Sequence, residues 1–216
     1  MEVTVKRVLQ LAAAFLLVLV ALGAQAADWE QGVNYFKIAK PQPVVTGDKI
    51  EVRELFWYGC PHCYALEPFI ENWAKNNKPK NAEYVLMPGI FQKASEFHAR
   101  AFYAFQALGI VNKVHKDFYD EIHQRGNRIY TLDGLVKFVA KYGIGEKEFK
   151  DAFNSFAVDA NVRNAERMFA AYGATGVPTI IVDGRYRATV GSAGGHEQLL
   201  QLINYLVAKA AKEHSG

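Results

Sequence analysis

Cysteine is nearly missing from this chain: its 216 residues contain two, Cys60 and Cys63. That scarcity excludes a framework of structural disulfides, and a four-ligand zinc site has no second cysteine pair to complete it. The remaining histidines, His98, His115, His123, His196 and His214, are scattered without the paired spacing of a zinc module. Haem attachment needs histidine directly after the second cysteine, and Tyr64 stands there. An excess of one charge is lacking too. With 25 Lys and Arg against 22 Asp and Glu, the net charge of +3 is too balanced to suggest nucleic acid or an acidic ligand.

A long apolar run stands at the start. Lys6 and Arg7 precede Val8 to Gly23, interrupted only by Gln10, and Ala24-Gln25-Ala26 forms a small-x-small cleavage site. Residues 1–26 therefore read as a signal peptide, with a mature chain from Ala27. An uncleaved membrane anchor is the rival reading, although the run is short for a span and ends in small residues. Export implies an oxidising compartment, which in a Gram-negative cell is the periplasm. A secreted protein that keeps one cysteine pair, three residues apart, points to chemistry rather than to stapling.

What is present centres on Phe56-Trp57-Tyr58-Gly59-Cys60-Pro61-His62-Cys63-Tyr64. Ile50 to Tyr58 is rich in β-branched and aromatic residues and reads as a buried strand. Pro61 to Asn76 reads as a helix with Leu66, Phe69, Ile70 and Trp73 on one face, and Pro61 suits its first turn. Cys60 then faces the unsatisfied N–H groups and positive dipole end of that helix, which favour a thiolate. His62, as imidazolium, favours the anion further and is expected to supply much of the stabilisation. Cys63, one turn along, is the more buried, higher-pKa resolving thiol. The pair can close a disulfide across one turn with strain, and strained disulfides tend to be oxidising. An inert pair of core cysteines remains the plain alternative.

The rest of the mature chain frames this stretch. Val33 to Ile38 reads as an edge strand, and Glu83 to Met87 closes a parallel β-α-β unit with Ile50 to Tyr58 as its central strand. Helical patterns follow at Ser95–Leu108, Asn112–Arg125, Leu132–Tyr142, Glu146–Phe153 and Val158–Tyr172, their aromatic stripes read as core. Strands return at Thr179–Val182 and Arg185–Val190 around an Asp183-Gly184 hairpin turn, before a helix from His196 to about Lys212. The fold class is α/β. The sheet begins before the helical block and finishes after it, so the block is an insertion.

This layout, with Cys60-Pro61-His62-Cys63, resembles the DsbA family of periplasmic thiol:disulfide oxidases over essentially the whole mature chain. The resemblance implies a thioredoxin-like fold with an inserted helical sub-domain: residues 27–92 and 173–216 form the thioredoxin-like domain and 93–172 the insert. Gly176-Val177-Pro178-Thr179 carries a second family feature, which implies a cis Pro178 against the active-site sulfurs. Val177 before it would pair its backbone with an incoming peptide. Glu54, six residues before Cys60, matches an acidic residue that exchanges a proton with the buried cysteine. Against that stands a glutamate reaching solvent or pairing with Arg53, and Glu83-Tyr84-Val85-Leu86-Met87 offers no lysine to partner it.

The resemblance further implies unfolded secreted polypeptides with free thiols as substrates, a quinone-linked membrane reoxidase of the DsbB type, and a monomer. It implies no cofactor beyond the Cys60–Cys63 disulfide. Two rivals are a reductase or isomerase on the same fold, and a non-catalytic binding module using Trp57, Tyr58 and Tyr64 as an apolar surface.

Overall fold

The computed structural model describes residues 28–215; the signal-peptide reading of residues 1–26 lies outside the described residues. Strand β2, Ile50–Phe56, is buried along its whole length. Its side chains alternate between the two sheet faces, so Val52 and Glu54 share one face while Glu51, Arg53 and Leu55 share the other. Strand β3, Ala82–Pro88, pairs with it in parallel, and β4, Thr179–Val182, pairs with its other edge antiparallel. β5, Tyr186–Ala188, and β1, Phe36–Lys37, complete a five-stranded mixed sheet of order β1-β5-β4-β2-β3. β2 is thus interior, but β4 holds the middle of the sheet, because the C-terminal hairpin adds two strands on that side.

One face of the sheet is covered by α1, Pro61–Asn72, and by α8, His196–Ser215. Val52, Ile180 and Val182 pack there against Leu66, Ile70, Leu199, Leu202 and Leu206. α1 does not stop at Asn72 but runs on through a wider π-helical turn, Trp73–Asn77. The second core lies among α2, Lys93–Ala107; α3, Val111–His123; α4, Leu132–Ala140; α5, Glu146–Phe153; and α6, Phe156–Ala171. Phe105, Phe118, Phe138 and Phe149 interlock in it, and it extends to Leu55, Phe56 and Ile181 of the sheet. The helical block sits between β3 and β4 in the chain, as the sequence pattern implies. Its aromatic stripes are core.

Local differences from the sequence reading have local causes. α6 starts at Phe156 rather than Val158, because Ser155 caps it by accepting from the Val158 N–H at 3.2 Å. The last strand ends at Ala188 and does not reach Val190. Thr189 and Ser192 exchange side-chain and main-chain hydrogen bonds, which opens a one-turn helix α7, Val190–Ala193. The edge strand pairs over two residues only, Phe36 with Arg187 and Lys37 with Tyr186.

The hairpin turn has φ of 55° at Asp183 and 62° at Gly184, the two positive values of a type I′ turn. At Gly184 space is also short, since a Cβ would lie 2.1 Å from the Gln42 carbonyl oxygen. Gly109, which follows α2, has a similar φ of 67° with nothing within 4 Å of a built Cβ. Gly109→Ala should therefore cost only the left-handed conformation, about 1 kcal/mol. Gly184→Ala should cost at least about 2–3 kcal/mol more, because the backbone of a neighbouring segment must move. Urea unfolding of the two variants checks the difference, and equal losses would remove the steric part of the account.

Candidate active site

Cys60 is the N-cap of α1, with extended backbone angles of φ −91° and ψ 116° and Pro61 in the first turn behind it. Its carbonyl accepts from the Tyr64 N–H at 3.1 Å and its own N–H donates to the Trp57 carbonyl at 2.9 Å. These bonds fix the loop between β2 and α1. Cys60 is 6% exposed and Cys63 is fully buried, and both are free thiols.

The two sulfurs are pushed in opposite directions. Cys60 is lowered from its ordinary 9.0 to about 6, first by a hydrogen bond from the Cys63 thiol. Burial opposes this, while the Cys63 and His62 main-chain N–H groups at the helix start reinforce it. The His62 charge comes last among these influences, so the imidazole supplies less than the sequence reading assigns to it. The reason is visible: His62 is exposed, and water screens its charge, whereas the thiol and amide donors touch the sulfur. Burial drives Cys63 well above the ordinary thiol value, helped by its hydrogen bond to Cys60 and by the charges of Cys60 and Glu54.

Glu54 lies under α1 because β2 turns it to the same sheet face as Val52. It is fully buried, and burial raises it from 4.5 to about 8, with the Glu67 charge acting the same way. Reaching solvent is thereby ruled out, and so is pairing with Arg53. The strand alternation sends Arg53 to the opposite face, where it binds Glu51 at 2.7 Å. The missing lysine is replaced by a hydroxyl: Tyr84, on β3, donates to Glu54 Oε2. Oε1 of Glu54 has no hydrogen-bond partner among the described residues.

The Val177–Pro178 peptide bond is cis, and the Val177 carbonyl accepts from Cys60 Sγ at 3.5 Å. Gly89, after β3, admits Val177 to this place, since a Cβ there would stand 2.6 Å from Val177 Cγ1. Beside Cys60 an open groove of about 350 Å³ is lined by His62, Gly176, Val177, Pro178, Thr189 and His196. Tyr58 is wholly buried and Trp57 and Tyr64 half-buried, so these three do not form the exposed aromatic surface a binding module needs. The fold thus brings together Glu54, Cys60, Pro61, His62, Cys63, Val177 and Pro178.

Three residues at the site escaped the sequence reading. Tyr84 faces Glu54 from the next strand, and the parallel register of β2 and β3 was the signal that could have found it. Glu67 is buried one turn beyond Cys63 on the inner side of α1, where a carboxylate is unexpected. His115 comes from α3 and meets both Glu67 and Tyr58, a contact between elements distant in the chain.

Residues 51–204 match the family described as the DSBA-like thioredoxin domain. The thiol:disulfide interchange protein DsbA of Pseudomonas aeruginosa is 38% identical over 191 residues, covering 88% of this chain and 90% of that protein. DsbA of Azotobacter vinelandii is 39% identical over 194 residues, with the same coverage of 88% and 90%. Among solved structures, Pseudomonas aeruginosa DsbA superposes with a TM-score of 0.83 at 37% identity, covering 88% of this chain and 99% of that one. Xylella fastidiosa DsbA gives 0.78 at 30% identity, covering 84% and 97%. With the cysteine pair at a helix start, the fold and these matches agreeing over the described chain, the protein belongs to the DsbA family of thiol:disulfide interchange proteins.

Proposed function

We propose that the protein donates a Cys60–Cys63 disulfide to unfolded, newly exported polypeptides carrying free thiols. The observation that carries this reading is the opposite push on two sulfurs one helical turn apart. A sulfur held as thiolate stabilises the reduced form, and that makes the disulfide an oxidant.

The reaction starts when a substrate thiolate attacks Cys60 Sγ, the sulfur beside the groove. The Cys60–Cys63 bond breaks and Cys63 leaves with its electron pair. A buried thiolate there is costly, so Cys63 takes a proton, and Glu54, which burial keeps protonated at neutral pH, is placed to give it. A second substrate thiolate then attacks the substrate sulfur of the mixed disulfide and displaces Cys60 as thiolate. Two electrons have moved: the substrate is a disulfide and the protein a dithiol. Pro61 sets the first turn without needing an N–H, Val177 offers main chain to the substrate as an added strand, and Pro178 holds that segment against Cys60.

In the same reading residues 27–92 and 173–216 are the thioredoxin-like domain and 93–172 the helical insert. The signal peptide delivers the mature chain to the periplasm, where it acts as a monomer. A DsbB-type, quinone-linked membrane protein reoxidises it, and no cofactor beyond the disulfide takes part.

The direct test is equilibrium with a glutathione redox buffer, followed by tryptophan fluorescence. The potential should be far more oxidising than thioredoxin's roughly −270 mV, and a value near that one would make the protein a reductase. His62→Leu should raise the Cys60 pKa, read from thiolate absorbance, and lower the potential by a few tens of mV, about 30 mV matching one tenfold change. An unmoved titration would remove His62 from the tuning.

Stability against pH gives a further check. Because the folded pKa of Cys60 is depressed, its contribution to the reduced protein is present in full above about 9, and is lost as pH falls through about 6. Glu54 runs the other way: its raised pKa costs stability as pH climbs from 4.5 to about 8, in both redox forms. Subtracting the oxidised protein's curve cancels most of that. The reduced-minus-oxidised difference in unfolding free energy should therefore rise between pH 6 and 9, and a flat difference would contradict the thiolate assignment.

A further inference from the structure

A second cleft of about 660 Å³, separate from the groove beside Cys60, opens among α1, β3, α2 and α3. Glu67, Tyr84 and His115 line it. His115 is buried, and its two nitrogens have different surroundings. Nδ1 lies 2.8 Å from the Tyr58 hydroxyl. Nε2 has no hydrogen-bond partner among the described residues and faces Glu67 Oε2 at 3.6 Å, too far for a bond and close enough for an ion pair or a proton transfer through solvent. Glu67 in turn acts on Glu54 by its charge, and Glu54 acts on Cys63. A buried imidazole with an empty nitrogen aimed at a buried carboxylate is an expensive arrangement for packing alone.

We infer that His115 connects the buried Glu54–Cys63 pair to solvent in this cleft, taking up and returning through Glu67 the proton that each exchange cycle moves. The inference rests on the disulfide-donor reading above. His115 touches neither sulfur and acts through Glu67, so it is a positioning residue. Other groups surround it in the cleft: Glu67 and Glu71 from α1, Lys75 from the π-helical turn and paired with Glu71, Tyr58 from the loop after β2, Tyr84 from β3, and Lys116 and Tyr119 from its own helix. Tyr58 fixes the ring so that Nε2 points at Glu67.

The step that reads this role is the closure of a mixed disulfide between Cys60 and glutathione. Cys63 loses its proton and attacks Cys60 Sγ, glutathione leaves as a thiolate, and no further oxidant is needed. Its rate is followed by stopped-flow fluorescence from pH 5 to 9 in the full mature protein and in His115→Asn. Asparagine keeps a polar atom near the Nδ1 position for Tyr58 and deletes Nε2. The variant should close roughly tenfold more slowly near neutral pH, below the roughly 10²–10⁴ of a direct proton-transfer group because it acts at one remove. The midpoint of its pH profile should shift while the Cys60 thiolate titration stays in place. In His115→Ala, added imidazole should restore part of the rate, which a packing role cannot explain.

A profile that superimposes on the parent's, or a slowing uniform across pH with no imidazole rescue, would overturn the inference. Should either substitution unfold the protein by circular dichroism, His115→Gln is read by the same profile. If the parent itself fails to release glutathione, the disulfide-donor reading fails instead, so the two failures are distinguishable.

Discussion

The structure depends on one placement: the first turn of α1 laid across the inner face of β2. That placement puts a helix start, with its spare N–H groups, against Cys60 and puts the carboxylate of Glu54 beneath Cys63. The same turn therefore stabilises charge at one end and penalises it at the other, over three residues of chain. Separation of two chemically identical thiols needs both effects. A helix start without the burial of Cys63 would leave two similar sulfurs, and a buried pair without helix-start donors would leave two inert ones.

The rest of the fold keeps that turn from relaxing. α8 and α1 share a core over Val52, Ile180 and Val182, which clamps the body of α1 to the sheet. From the other side Tyr58, fully buried among Phe118, Tyr119 and His115, ties the loop before Cys60 to the helical block. His123 adds a bond from its Nε2 to the Tyr58 carbonyl at 2.8 Å and stacks on Tyr64 of α1. The insert is thus part of the site's frame, because the segment that presents Cys60 is held jointly by the sheet and by α3.

Much of this is legible in the sequence. The Cys60-Pro61-His62-Cys63 junction, the parallel β2–β3 pair, the Asp183-Gly184 turn and the helical insert are local or short-range patterns, and short-range patterns are what periodicity and turn chemistry encode. The partners of Glu54 and the ranking of forces on Cys60 are not. Tyr84 faces Glu54 only through the β2–β3 register, and His115 reaches Glu67 across 48 positions of chain through tertiary packing. The weight given to His62 came from its place between the cysteines, but sequence carries no exposure, and exposure is what reduces its charge. Thr189 falls inside the strand expected over Arg185–Val190, but its capping bond with Ser192 outweighs its β preference.

A hydroxyl partner, Tyr84, rather than a basic one sets the chemistry available to Glu54. A lysine beside a buried carboxylate favours its charged form, and the pair would then hold a proton on nitrogen. A phenol hydroxyl donates one hydrogen bond and no charge, so burial and the Glu67 charge win, and Glu54 stays neutral to about pH 8. In the proposed reaction the proton that Cys63 takes on leaving therefore comes from the carboxyl group itself. Burial also drives Tyr84 well above the ordinary phenol value, so the hydroxyl stays a donor throughout this range and does not compete for the proton. Oε1 of Glu54 is unpartnered among the described residues, and Glu67 and His115 line the neighbouring cleft. A neutral donor beside Glu54 thus leaves burial free to keep its carboxyl group protonated through neutral pH.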